Sequence, residues 1–117
     1  MENLKSFFAQ LYQQFNARDI EKVIGHMSAE VQWANGMDGG YVHGHEGVRE
    51  YWTRQFGLWH SQVTPLDIDG DQDPVLIKVR QVVHDLQGNL LQDQIVHHHF
   101  FMREGLIARF EIEQKSA

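Results

Sequence analysis

The chain has 117 residues, enough for one domain around one core, and its 42% apolar and 22% charged content is that of an ordinary globular protein. Its net charge of −6 and the absence of any basic run give no footing for a nucleic-acid or membrane surface. The lack of cysteine excludes disulfides, thiolate metal sites and a cysteine nucleophile.

The amino-terminal stretch MENLKSFFAQLYQQF has no basic segment ahead of an uninterrupted apolar run. No stretch elsewhere is apolar for long enough to cross a bilayer, so a cytoplasmic protein is expected. Leu4, Phe7, Phe8, Leu11, Tyr12 and Phe15 recur at helical spacing and predict a first helix with Asn3 as its cap. Asp19 reads as the N-cap of a shorter helix that buries Ile20, Val23, Ile24 and Met27 and weakens at Gly25. Glu30 to Asn35 alternates as a strand does. The glycine-rich GMDGGYVHG that follows predicts a loop with room for a short strand at Tyr41 to His43. A third helix is expected from about His45 to Phe56, with Val48, Tyr51, Trp52 and Phe56 inward.

The period then changes. SQVTPLDID predicts a strand with Pro65 at an edge or bulge. The turn DGDQDP lacks the closing glutamate and flanking helices of a calcium loop. Strands are expected at Val75 to Leu86, Leu90 to Met102 and Leu106 to Gln114, with tight turns between them. Helices first and an antiparallel meander afterwards predict one α+β domain over residues 1–117.

Three stretches carry a likeness to a known family: ARDIEKVIGHMSAEVQW, VHGHEGVREYW and FFMREGLIARFEI. In their order and spacing they resemble the SnoaL-like and ketosteroid-isomerase-like branch of the nuclear transport factor 2-like superfamily. The resemblance implies a cystatin-like cone, in which a curved antiparallel or mixed sheet wraps around the N-terminal helices. It also implies a small-molecule ligand inside the cone and a homodimer formed through the outer sheet face. The isomerases of that branch use a carboxylate base with a tyrosine and a protonated aspartate as the oxyanion hole. Carried over by position, these three roles fall on Asn35, Leu11 and His97. Tyr12 stands beside Leu11, about 100° around the helix. An amide cannot take a proton from carbon, so ketosteroid isomerisation is not expected.

The unusual feature is DQIVHHHFFM, residues 93–102. On a regular strand His97 and His99 share one face and His98 takes the other, so the three cannot converge on one metal. The pattern alone does not choose a face. The resemblance turns Asp93, Ile95, His97, His99 and Phe101 inward, with Arg80, Val82 and His84 on the preceding strand. It turns Val75, Ile77, Val79 and Val83 outward, as an apolar strip for a dimer to cover.

The predicted catalytic group is therefore His97 and His99 with Asp93 as orienter, since histidine titrates near neutrality. Tyr12, Trp33, Asn35, Trp52, Arg80, His84, Phe101 and Phe110 are the predicted ligand contacts. The competing reading makes the histidines half-polar fillers and the aromatic residues, Phe8 above all, core packing. Trp59 reads as a closure of the core, and Gly39-Gly40 as a lid or a plain turn. A metal reading would join His97 and His99 to His84 or Asp93, with His43, His45 and His60 in reserve. No nucleophile elbow, phosphate loop or dinucleotide fingerprint occurs, and no cofactor is expected. The expected function is binding of a small, largely apolar organic molecule, with lyase, isomerase or cyclase-type acid–base chemistry. A non-catalytic binding or dimerisation module and a metal-dependent enzyme are the alternatives.

Overall fold

A computed structural model describes residues 4–35, 39–69 and 74–114. The cap expected at Asn3 and most of the turn DGDQDP lie outside these residues. The order is α1 (Leu4–Asn16), α2 (Ile20–Ile24), β1 (Met27–Ala34), β2 (Tyr41–His43), α3 (Gly44–Leu58), β3 (Trp59–Asp69), β4 (Val75–Asp85), β5 (Leu90–Arg103) and β6 (Leu106–Gln114). The strands form one six-stranded sheet in the order β2-β1-β6-β5-β4-β3. All neighbours are antiparallel except β1 and β6, which run parallel. The expected α+β architecture with a mixed sheet is therefore present.

α1 buries Phe8, Leu11 and Tyr12. Its last residue, Asn16, is pinned to the edge strand: its amide donates to the Val63 carbonyl at 2.7 Å and accepts from the Val63 N–H at 2.9 Å. That pair of bonds fixes where the helix ends relative to the sheet. The Asp19 side chain accepts from the Lys22 N–H and caps α2. Met27, expected on that helix, instead opens β1 and is fully buried there. α3 starts at Gly44, whose φ of 72° would strain any other side chain. Pro65 sits on the edge strand at a register shift, where a missing N–H interrupts the ladder least.

The β5–β6 hairpin decides the site. Its two-residue turn, Glu104 and Gly105, has positive φ at both positions, as in a type I′ turn. Counted regularly from that turn, His99 would face Phe110 and His97 would face Ile112. The register shifts instead: Met102 pairs with Ile107 but Phe101 pairs with Arg109, so Ala108 is an extra residue. Beyond this bulge Phe100 pairs with Phe110 and His98 with Ile112. A one-residue slip exchanges the two faces of a strand.

The facing expected for β4 and β5 is therefore corrected. Val75, Ile77, Val79 and Val83 point inward and are core, not an outer strip. Directly opposite residues share a face, so Val79 and Val96, Ile77 and His98, and Val75 and Phe100 line the inner side together. Arg80, Val82, His84, Asp93, Ile95, His97, His99 and Phe101 lie on the other side. Burial of four branched apolar side chains on β4, each worth about 1.5–3 kcal/mol, outweighs exposure of the half-polar set.

Candidate functional site

The concave side of the sheet, α1 and α3 enclose a cavity of about 390 Å³, within the size range of pockets that hold small organic ligands. One end is aromatic. Trp33 of β1 stacks on Phe110 of β6 at 4.0 Å and meets Trp52 of α3 edge-on at 5.1 Å. Phe100 packs between Phe8 and Phe110. Phe8 is wholly buried behind this wall and is core packing. Trp59 does more than close the core, because it also lines the cavity.

Set into this wall is one polar pair. The Tyr12 hydroxyl lies 2.6 Å from His98 Nδ1, and the two rings are nearly parallel. Phe110 stands edge-on to the imidazole at 4.8 Å. Burial, with the neighbouring His99 and His97 adding to it, pushes the His98 pKa down to about 3. Burial also pushes the Tyr12 hydroxyl well above the usual phenol range. Both groups are therefore neutral at pH 7. A phenol is the more acidic donor and an imidazole nitrogen the more basic acceptor, so Tyr12 donates to Nδ1. The single imidazole proton then resides on Nε2. A neutral histidine held this way is a hydrogen-bond donor and a poor base.

Farther along the same inner face of the sheet, Ser61, Gln81, Gln92 and Gln94 also line the cavity. Among the described residues no Asp, Glu, Lys or Arg lines the cavity.

The predicted site residues divide sharply. Tyr12, Trp33, Trp52 and Phe110 line the cavity. Asp93, His97 and His99, expected as the catalytic group, stand on the outer face, as do Arg80, His84 and Phe101. There Asp93 binds Arg80 through two contacts, of 3.0 and 2.7 Å. The guanidinium beside it holds the Asp93 carboxyl below the usual range. His99 Nε2 lies 3.1 Å from a Glu113 carboxylate oxygen. His97 Nδ1 is buried without a hydrogen-bond partner. Phe101 packs under the Arg109 guanidinium, which also bonds Glu111. Asn35 follows β1, and its backbone N–H donates to the Gly40 carbonyl at 2.9 Å. Only His98 of the three consecutive histidines reaches the cavity. Among the described residues no group of three or more His, Asp or Glu side chains is placed to hold a metal ion.

The expected site lacks His98, Phe100 and the glutamines because the resemblance turns the odd-numbered residues of β5 inward. A signal for them was present. Val75, Ile77, Val79 and Val83 demand burial, and the strand paired with β4 must then turn its even-numbered residues inward.

Comparison with known proteins agrees with this architecture. Residues 8–110 match the family model described as a SnoaL-like domain. No curated protein matches the sequence. Among solved structures, TerC, crystallised with polyporic acid, is 25% identical, with a TM-score of 0.81 over 96% of this chain and 90% of its own. An NTF2-like protein from Burkholderia pseudomallei is 20% identical, with a TM-score of 0.84 over 98% of this chain and 92% of its own. RV0760c from Mycobacterium tuberculosis, in complex with estradiol-17beta-hemisuccinate, is 15% identical, with a TM-score of 0.77 over 90% and 88%. At the latter two identities the likeness is one of fold. With the family model spanning nearly the whole chain and the cone-shaped sheet in place, the chain belongs to the SnoaL-like domain family.

Proposed function

We propose that this protein binds a small, largely apolar, ring-containing molecule in the cone and anchors one oxygen of it on His98. The observation that carries this reading is the short buried contact between Tyr12 and His98 in an otherwise aromatic wall. With Nδ1 occupied by the Tyr12 hydroxyl, the Nε2–H is the donor left for a ligand carbonyl or hydroxyl. Such a donor stabilises negative charge as it develops on an enolising carbonyl, which is the electrostatic requirement of cyclase- and isomerase-type reactions. The base would then come from the ligand itself or from water, since among the described residues no carboxylate lines the cavity. The ligands named with TerC and RV0760c support a ring-containing molecule.

Binding without chemistry is the second reading. The low proton affinity of His98 favours it, as does a cavity wall without Asp, Glu, Lys or Arg among the described residues. Both readings are tested by titrating the tryptophan fluorescence with estradiol, since Trp33, Trp52 and Trp59 line the cavity. Saturable quenching is expected, and His98→Phe should weaken it about 3- to 10-fold, the worth of one neutral hydrogen bond. Affinity unchanged by His98→Phe would remove His98 as the anchor. Recovery of the bound ligand unaltered after long incubation would favour binding over turnover.

A homodimer through the outer face also belongs to this proposal, on a changed footing. The surface concerned carries Leu76, Val82, Ile95 and Phe101, not the valines of β4 that are now core. Light scattering should give a dimer mass, and Ile95→Glu should give a monomer. A wild-type monomer at high concentration would reject this part.

A further inference from the structure

Resting on the cavity reading above, we infer that Gln81, Gln92 and Gln94 form a second anchor that selects a ligand with two polar ends. Gln81 of β4 and Gln94 of β5 are direct register partners, and Gln92 lies two residues along β5 on the same face. All three line the main cavity. Each amide brings both a donor and an acceptor to the wall. Gln81 and Ser61 also line a smaller annex of about 80 Å³ that continues toward Phe56 and Trp59. The amide patch therefore stands where the main cavity meets the annex.

The sequence makes this placement informative. The inward side of β5 reads Gln92, Gln94, Val96, His98 and Phe100, with one apolar residue between the amides and the imidazole. A wall meant only for core packing would carry no run of amides. A wall meant for a carboxylate ligand would carry a cation, and among the described residues none lines this cavity.

The spacing sets the length of the ligand. Gln94 and His98 are four residues apart on one strand, which separates their backbones by about 13 Å. Side chains on one face of a strand stand side by side, so the two polar groups of a ligand held at both ends lie about 13 Å apart or somewhat less. That is the span of several fused rings. The chemical class is a rigid, mostly apolar polycycle with an uncharged hydroxyl or carbonyl at each end. His98 takes one oxygen, and the amides take the other as donor or acceptor.

The experiment uses three probes on the wild-type protein and on a Gln81→Met, Gln94→Met double variant, which keeps side-chain length and removes the amides. The probes are estradiol, an analogue lacking its ring-D hydroxyl, and the hemisuccinate ester at that hydroxyl. A thermal melt first checks that the variant folds. For the wild type, estradiol should bind about 3- to 10-fold more tightly than the one-ended analogue, the worth of one hydrogen bond. In the double variant that preference should vanish while the one-ended analogue binds as before. The ester should bind more weakly than estradiol. An unchanged preference in the double variant, with His98→Phe still weakening binding, overturns the second anchor and leaves the cavity reading standing. Equal or tighter binding of the ester overturns the uncharged class. If none of the probes binds, or if His98→Phe has no effect either, the cavity reading fails and this inference fails with it.

Discussion

The two faces of β5 use the same residue type for different ends. His98 looks into the cone, is 7% exposed, hydrogen-bonds Tyr12 and is held neutral by burial. His97 and His99, one position to either side, look outward, and His99 meets Glu113. Phe100 is 1% exposed in the core, while its neighbour Phe101 lies half-buried beneath a guanidinium. Nothing in the identity of these side chains separates the members of each pair. The field and packing around each one do, and a single bulge residue in the neighbouring strand chooses which side is which.

Truncating the two phenylalanines separates the faces most strongly. Phe100→Ala should destabilise the fold by about 3–5 kcal/mol in denaturant unfolding, because it opens a cavity in the aromatic cluster. Phe101→Ala should cost about 1 kcal/mol, in line with its partial burial. Equal costs would mean that the outer face is as deeply covered as the inner one, which points to a partner seated there.

Tyr12→Phe should cost about 1–3 kcal/mol, since it leaves a buried imidazole nitrogen without its donor. Loss of stability without loss of ligand affinity would reduce the pair to a structural role.

The pH dependence sharpens the same contrast. The folded-state pKa of His98 is about 3 against an ordinary 6.5, so the unfolded chain takes up this proton first. The stabilising contribution is fully present above pH 6.5 and is lost as pH falls toward 3. Between pH 6.5 and about 4.5 most carboxylates are still ionised. In that window the melting temperature should decline with pH, and His98→Leu should flatten the decline. A slope unchanged by His98→Leu would contradict the burial argument.

The smallest effect is expected from Asp93→Asn. Its pair with Arg80 is exposed and screened by solvent, so both the melting temperature and estradiol affinity should stay within error. A clear loss of affinity would return Asp93 to the binding machinery.

Much of the fold was legible beforehand because periodicity and turn chemistry are local. The stripe of α1, the Asp19 cap, the inner face of α3 and the three long strands appear close to where the sequence predicts them. Pro65 marks a bulge on an edge strand, as expected of a residue without an N–H. Four of the predicted ligand contacts, Tyr12, Trp33, Trp52 and Phe110, lie on the cavity wall, because each belongs to an element whose apolar side is unambiguous. The catalytic trio does not lie there. Asp93, His97 and His99 belong to a strand whose two faces are almost equally apolar, and alternation cannot rank such faces.

What the sequence determined by itself is therefore the set of elements and the composition of the interior. Helical and strand periods are written in residues three or four apart and two apart, and the demand of four branched side chains on β4 for burial is intrinsic to them. What only the tertiary structure decided is which imidazole of His97, His98 and His99 joins the cavity. That choice depends on the unpaired Ala108 in β6, whose displacement of the register by one residue carries His98 to Tyr12 and leaves its two neighbours outside.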